Sequence, residues 1–155
     1  MSLVYLGLGT NLGDKTQNLN GAVGFLSLEI GNVLAVSSFY TSKPWGFESD
    51  NEFLNAVALV ETNLTPFEVL ARTQQIERDM GRSVKSNGNY SDRLIDIDIL
   101  FYDNLIIDQP TLVIPHPLLP KRDFVLIPLA ELAPGLIHPI LGKSMLELRN
   151  ELCEC

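Results

Sequence analysis

Residues 93–100 read Arg-Leu-Ile-Asp-Ile-Asp-Ile-Leu, and this alternation of isoleucine and aspartate constrains the chain more than any other feature. Successive side chains of a strand point to opposite faces, so Ile95, Ile97 and Ile99 share one face and Asp96 and Asp98 the other. The isoleucine face needs an apolar cover, and the acidic face needs water, cations or both. The two carboxylates fall about 6.5 Å apart at Cα, two strand rises. Like charges at such neighbouring positions repel unless something shares them. Hard oxygen ligands at this spacing can hold one Mg²⁺ between them, or two ions whose shells a substrate phosphate completes. The plain alternative is a solvated strand face.

The remaining segments supply a sheet for this strand to join. Residues 4–9 are short and apolar and are broken by Gly and Asn: a strand. Residues 15–28 carry Leu19, Val23, Phe25 and Leu26 at helical spacing, and Gly31 stops the helix. A β-branched and aromatic run predicts a strand over 33–40, Pro44 and Gly46 mark 41–51 as a loop, and 53–61 is a further strand. Thr65-Pro66-Phe67-Glu68 starts a helix with a capping box and Pro in its first turn, running to about Met80 and ending at Gly81. Residues 83–92 are a long polar loop. The strand at 95–102 is turned by Asp103-Asn104 back into 105–107, as a hairpin. Pro115, Pro117 and Pro120 enforce an irregular stretch, and short helices at 124–132 and 144–152 complete the chain. The order β-α-β-β-α-β predicts an α+β fold of the ferredoxin-like sandwich kind, an antiparallel sheet with helices packed on one face, plus an extra C-terminal hairpin and short helices. No repeat, low-complexity tract or composition shift divides the chain, so residues 1–155 are expected to form a single domain.

Charge and composition exclude several classes. The chain has 19 acidic and 11 basic side chains, a formal net charge of −8, which argues against a nucleic-acid binder. Apolar residues make up 46%, too many for a disordered chain. No apolar run reaches the roughly 18 residues of a membrane span, and the start Met1-Ser2-Leu3-Val4-Tyr5 lacks a basic leader. Cys153 and Cys155 lie at the extreme C-terminus, where they cannot staple the fold and make a poor zinc site. A cytoplasmic location is expected. Five of the 11 basic residues, Arg82, Lys85, Arg93, Lys121 and Arg122, flank the Asp-x-Asp strand in sequence. Cations opposite metal-binding carboxylates suit a polyphosphate, whose charge Mg²⁺ and Arg share.

Three further features carry chemistry. Gly7-Leu8-Gly9-Thr10-Asn11-Leu12-Gly13-Asp14 is neither a dinucleotide fingerprint, because the third glycine comes one residue late, nor a Walker A loop, because Asp14 follows Gly13. It reads instead as a tight strand-to-helix turn that uses glycine's backbone freedom. Asn55 shares a strand face with Phe53, Val57 and Leu59. A buried amide beside an aromatic ring suits a flat, hydrogen-bonding heterocycle, or it bonds local backbone. Trp45 in the Pro/Gly loop forms a flap or covers core. His116, held between Pro115 and Pro117 with Arg122 nearby, contacts phosphate or serves structure.

Together these segments resemble the 6-hydroxymethyl-7,8-dihydropterin pyrophosphokinase family of folate biosynthesis, over residues 4–134. The likeness rests on Tyr5-Leu6-Gly7-Leu8-Gly9-Thr10-Asn11-Leu12-Gly13-Asp14, Ser38-Phe39-Tyr40, Pro44-Trp45-Gly46, Phe53-Leu54-Asn55-Ala56-Val57 and Gln74-Gln75-Ile76-Glu77. It continues through Gly81-Arg82, Asp92-Arg93-Leu94-Ile95-Asp96-Ile97-Asp98-Ile99-Leu100, Pro115-His116-Pro117 and Arg122-Asp123-Phe124-Val125-Leu126. The resemblance implies transfer of pyrophosphate from ATP to the hydroxymethyl oxygen of a reduced pterin, with release of AMP, on a ferredoxin-like core with two Mg²⁺ ions. It implies Asp96 and Asp98 as metal ligands and Arg82 and Arg93 as catalytic loop arginines. Gln74, Glu77, Lys85, Tyr90, Ile99, Leu112, His116 and Arg122 fall on the ATP side. Phe53 and Phe124 are expected to sandwich the pterin, Asn55 to bond its edge, and Ser42, Lys43 and Trp45 to complete the pocket. The chain departs from the family pattern at Val84 and Lys85, where a second arginine is common, and at Tyr90 and Asp92. The implied partners are small molecules only: no nucleic acid, no membrane and no obligate protein partner. The rival reading is a non-catalytic ferredoxin-like module with Asp96 and Asp98 on a solvated face.

Overall fold

The computed structural model describes residues 1–43, 52–81 and 94–153. The chain runs through β1 (Ser2–Thr10), α1 (Lys15–Glu29), β2 (Gly31–Val36), β3 (Tyr40–Ser42), β4 (Phe53–Thr62) and α2 (Pro66–Asp79). It continues through β5 (Asp96–Tyr102), β6 (Ile107–Gln109), β7 (Leu112–Ile114), α3 (Asp123–Leu132) and α4 (Met145–Cys153). Among the described residues one antiparallel sheet has the order β2-β4-β1-β5, with β3 also paired to β4. This is the βαββαβ arrangement expected from the element order. It places the Asp-x-Asp strand at one edge, beside β1.

The helices form where local chemistry starts them. Asp14 caps α1 by accepting from Gln17 N–H at 3.0 Å, and Asn18 Nδ2 ties back to Leu12 O at 2.8 Å. At α2 the capping box is complete: Thr65 N–H donates to Glu68 Oε1 at 2.9 Å and Glu68 N–H to Thr65 Oγ1 at 3.3 Å. Gly81, at φ +104°, follows its end, and Leu94 packs against this glycine. Ser144 and Glu147 make a second reciprocal cap before α4.

Two apolar layers cover the sheet. Val4, Leu6 and Leu8 of β1, Ala56, Ala58 and Val60 of β4, and Ile97 and Ile99 of β5 pack with Leu19, Ala22 and Leu26 of α1 and Val69 and Ile76 of α2. On the opposite face, Val57, Leu100 and Phe101 pack with Leu126, Leu129 and Ala130 of α3 and Met145 and Leu148 of α4. Helices therefore lie on both faces, rather than on one as the element order suggested. The short C-terminal helices cover only the part of the second face where Leu100 and Phe101 are apolar, and the stretch carrying Asp96 and Asp98 stays half-exposed.

Two further expectations are corrected. The single strand over 33–40 divides into β2 and β3. Val36 pairs with Ala58 and Tyr40 with Asn55, so the outer strand holds one residue more than its partner. Ser37 accommodates the excess: its N–H donates to Val57 O and its hydroxyl accepts from Val57 N–H, both at 2.9 Å. Glu131 of α3 meanwhile takes the Ser38 N–H and hydroxyl, each at 3.0 Å. The hairpin expected at Asp103-Asn104 is also displaced, because residues 107–109 pair with β7 rather than folding back on β5. Asp103, at φ 49°, instead accepts Leu3 N–H on its carboxylate and donates its own N–H to Leu3 O, which spends the turn on β1.

Candidate active site

The sheet register assembles the site. Gly9 pairs with Asp96 on one side and Asn55 on the other, while Gly7 pairs with Asp98 and Val57. Directly paired residues point their side chains to one face. Asp96 and Asp98 therefore stand on the same face as Asn55 and Phe53, across two residues that have no side chain. Gly7 and Gly9 belong to β1, as the strand expected over 4–9 has them, and not to the turn that follows. Only Gly13 of that motif, at φ +67°, uses left-handed backbone.

Asn55 is 4% exposed. Its amide donates to Tyr40 O at 2.9 Å and to Ser42 Oγ at 2.8 Å. A carbonyl accepts only, so these bonds fix which end is the NH₂ and turn Oδ1 toward Gly9. Asn55 thus bonds local backbone, as one of its two readings expected, and its Oδ1 faces Gly9. Ser42 is drawn into the site through this bond, while Lys43 beside it is exposed.

The outer edge of β5 is occupied by two segments. Ile97 N–H, between the two aspartates, donates to the buried Glu77 Oε2 at 2.8 Å. His116 N–H donates to Leu100 O at 3.1 Å. These bonds dock α2 and the Pro-rich segment on the strand, and they bring His116 and Arg122 to Asp98. Asp98 Oδ2 lies 3.8 Å from Arg122 NH1 and 4.0 Å from His116 Nε2, with the aspartate side chain 35% exposed and that of Arg122 9%. At 3.8 Å the charges of Asp98 and Arg122 are paired. The Arg122 guanidinium sits 5.5 Å over the Phe124 ring, so the cation bridges the acidic and aromatic sides of the site.

Asp96, Asp98, Asn55, Phe53, Ser42, His116, Arg122 and Phe124 are thus brought to one region. Glu77 abuts it through Ile97. Gln74 is exposed on α2, one turn before Glu77. Ile99 and Leu112 are buried in the apolar layer under α1 and α2. Trp45, Arg82, Lys85, Tyr90 and Arg93 lie outside the described residues, as do the departures at Val84 and Asp92. Sequence reasoning missed the floor itself. Two glycines spaced i, i+2 inside an otherwise apolar strand were the available signal, since strand interiors seldom gain from glycine. Among the described residues no cluster of three or more His, Cys, Asp or Glu forms a closed metal cage. Two half-exposed carboxylates on one strand face instead fit Mg²⁺, which keeps water and phosphate oxygens in its shell.

Both histidines are held neutral. Burial, and then the Arg122 charge, push His116 down to about 4 from an ordinary 6.5, against a smaller opposing pull from Asp96. Its Nδ1 accepts Leu118 N–H at 3.2 Å, which leaves the proton on Nε2, facing Asp98. Burial also lowers His138, whose Nδ1 accepts the N–H groups of Ile140 at 3.2 Å and Leu141 at 3.1 Å. A folded value below the unfolded one gives stability that is complete above pH 6.5 and is lost as pH falls from there toward 4. Urea unfolding is expected to show a loss of about 2 kcal/mol from His116 alone between roughly pH 7.5 and pH 5. Glu68 and Glu147, both lowered from 4.5, titrate below this window. A flat stability profile there would contradict the neutral histidines.

Residues 5–134 match the family described as 7,8-dihydro-6-hydroxymethylpterin-pyrophosphokinase. The chain is 48% identical over 141 residues to the 2-amino-4-hydroxy-6-hydroxymethyldihydropteridine pyrophosphokinase of Porphyromonas gingivalis, covering 90% of this chain and 95% of that protein. It is 42% identical over 151 residues to the protein of the same name from Aquifex aeolicus, covering 97% and 92%. A crystal structure of a Plasmodium falciparum HPPK-DHPS protein is similar with a TM-score of 0.82 at 18% identity, a likeness of fold. That alignment takes in 97% of this chain and 45% of the longer Plasmodium chain.

Proposed function

The chain belongs to the 7,8-dihydro-6-hydroxymethylpterin-pyrophosphokinase family, and from that premise we propose how its own residues carry the reaction. The enzyme transfers pyrophosphate from ATP to the hydroxymethyl group of 6-hydroxymethyl-7,8-dihydropterin, in folate synthesis. The hydroxymethyl oxygen forms a bond to the β-phosphorus of ATP. The bond from that phosphorus to the α–β bridging oxygen breaks, AMP leaves with that oxygen, and the hydroxyl proton is released.

The observation that carries the residue assignment is the single row Asp96–Gly9–Asn55 on one sheet face, with Arg122 beside Asp98. Asn55 Oδ1 accepts from the amide edge of the pterin. Phe53 and Phe124 stack on its ring, and Ser42, Lys43 and Trp45 complete that end. Asp96 and Asp98 would hold the two Mg²⁺ ions at the other end, supplying the hard oxygen ligands this cation takes. When bound, the metal shields phosphate charge and lowers the pKa of an oxygen it coordinates. Arg122 and His116 meet the triphosphate. His116, neutral with its proton on Nε2, donates a hydrogen bond rather than a charge. Gln74, Glu77, Lys85, Tyr90, Ile99 and Leu112 line the ATP side, and Arg82 and Arg93 stabilise charge on the transferred group and the departing AMP.

The reading treats residues 1–155 as a single domain acting on small molecules in the cytoplasm, with no obligate protein partner. The single-domain part of this reading is supported by the Porphyromonas gingivalis relative, of which this chain covers 95%. Among the described residues, no helix is long and apolar enough to cross a membrane. A non-catalytic module is disfavoured by family membership. Protein mixed with Mg²⁺, ATP and 6-hydroxymethyl-7,8-dihydropterin is expected to release one AMP per pterin diphosphate. ADP in place of AMP would overturn the reaction type, and no pterin-dependent nucleotide product would overturn the reading as a whole.

A further inference from the structure

Glu131 stands two helical turns after Phe124 on α3, and this spacing puts both on one side of the helix. Phe124 belongs to the aromatic side of the site. Glu131 reaches the junction between β2 and β3 instead. Its Oε2 accepts the Ser38 N–H and the Ser38 hydroxyl, each at 3.0 Å, from a residue 93 positions away in sequence.

The junction matters because of what β3 does. Tyr40 O and Ser42 Oγ both accept from the Asn55 amide, at 2.9 Å and 2.8 Å. Tyr40 pairs with Asn55 and Ser42 with Phe53, so both stand on the Asn55 face of the sheet. Strand side chains alternate faces. A slip of one residue in β3 would therefore carry the Ser42 hydroxyl to the opposite face and take an acceptor away from Asn55. The extra residue between Val36 and Tyr40 keeps the register as it is. Two consecutive residues hold that excess in place: Ser37 is bonded to Val57 of β4, and Ser38 to Glu131 of α3.

The two elements joined at Ser38 differ in how they are anchored. β3 is three residues long, and none of the three belongs to either apolar layer. α3 is fixed through Leu126 and Leu129, both fully buried. Glu131 is thus an arm from a firmly packed helix to a short strand.

We propose that Glu131 is a positioning residue for the pterin end of the site: by fixing Ser38 it sets the register of β3, which in turn sets the direction of the Asn55 amide and the place of the Ser42 hydroxyl. This rests on the reading of Asn55 and Ser42 as pterin residues. Asp98 and His116 are held by β5 and the Pro-rich segment, so the triphosphate end does not depend on β3.

The test compares wild type with Glu131→Ala and Glu131→Gln. Steady-state kinetics give KM for the reduced pterin and for ATP separately, and thermal melting reports the fold. Glu131→Ala is expected to melt cooperatively, to raise the pterin KM at least fivefold and to leave the ATP KM within twofold. Glu131→Gln keeps an oxygen that accepts both Ser38 bonds, and its pterin KM is expected within twofold of wild type. A smaller rise in Glu131→Ala, an equal rise in both KM values, or a glutamine variant no better than alanine would each overturn the role of Glu131 while leaving the reaction intact. Failure of wild type to make pterin-dependent AMP would instead overturn the functional reading. Should Glu131→Ala not fold, Ser38→Ala decides, because it removes the hydroxyl bond and keeps the N–H bond. Its pterin KM is expected to rise at least twofold at unchanged ATP KM, and any smaller change counts against the proposal.

Discussion

Asp98→Asn is expected to slow pterin-dependent AMP formation by roughly 10³-fold, the scale on which loss of one charge-stabilising group in a preorganised site is felt. The substitution is isosteric and sits on a half-exposed strand position, so the fold has little to lose. Asp98 Oδ2 is 3.8 Å from Arg122 NH1 and 4.0 Å from His116 Nε2, and an amide keeps an oxygen there but not the negative charge proposed to hold Mg²⁺. The loss should therefore appear with Mg²⁺ affinity for the ATP complex, measured by calorimetry, and not in the melting temperature. Turnover within a few-fold of wild type would remove Asp98 from the site. Loss of activity together with loss of the folded state would make its role structural.

Glu77→Ala carries the second large effect, by a different route. Glu77 is 5% exposed, and its Oε2 accepts Ile97 N–H at 2.8 Å. Truncation leaves a buried backbone donor unsatisfied, at a cost of about 1–3 kcal/mol, and frees the strand segment that carries both aspartates. The expected result is a clear fall in the urea midpoint and a drop in kcat of ten-fold or more. Glu77→Gln retains an acceptor oxygen and is expected to keep both close to wild type. This pair separates the two roles open to Glu77. A positioning residue is rescued by Gln. A residue whose charge meets ATP is not, and both variants would then raise the ATP KM at unchanged stability.

Much of this arrangement is legible in the residues. Alternation of Ile and Asp over 95–99 assigns the strand, its buried face and its acidic face, because a strand repeats every two residues whatever it pairs with. Thr65-Pro66-Phe67-Glu68 starts a helix because the cap is satisfied within four residues. Such local patterns predicted the element order, and the order allowed the sheet. The misreadings share a physical origin in partners far along the chain. The division of β2 from β3 depends on Ser37 meeting Val57 and Ser38 meeting Glu131. The loss of the hairpin after β5 depends on Asp103 meeting Leu3, which is 100 residues away in sequence.

The sequence by itself determined that Asp96 and Asp98 share a strand face and that Asn55 and Phe53 share another. Each is a statement about one strand, settled by backbone geometry alone. Only the tertiary structure decided that these faces are one continuous surface, that Gly7 and Gly9 form its floor, and that Glu77 meets the strand at Ile97 N–H, between the two aspartates. Register across β5, β1 and β4 sets which residues lie opposite one another. Register comes from the packing of the whole sheet between its two apolar layers, which no single segment of this chain specifies.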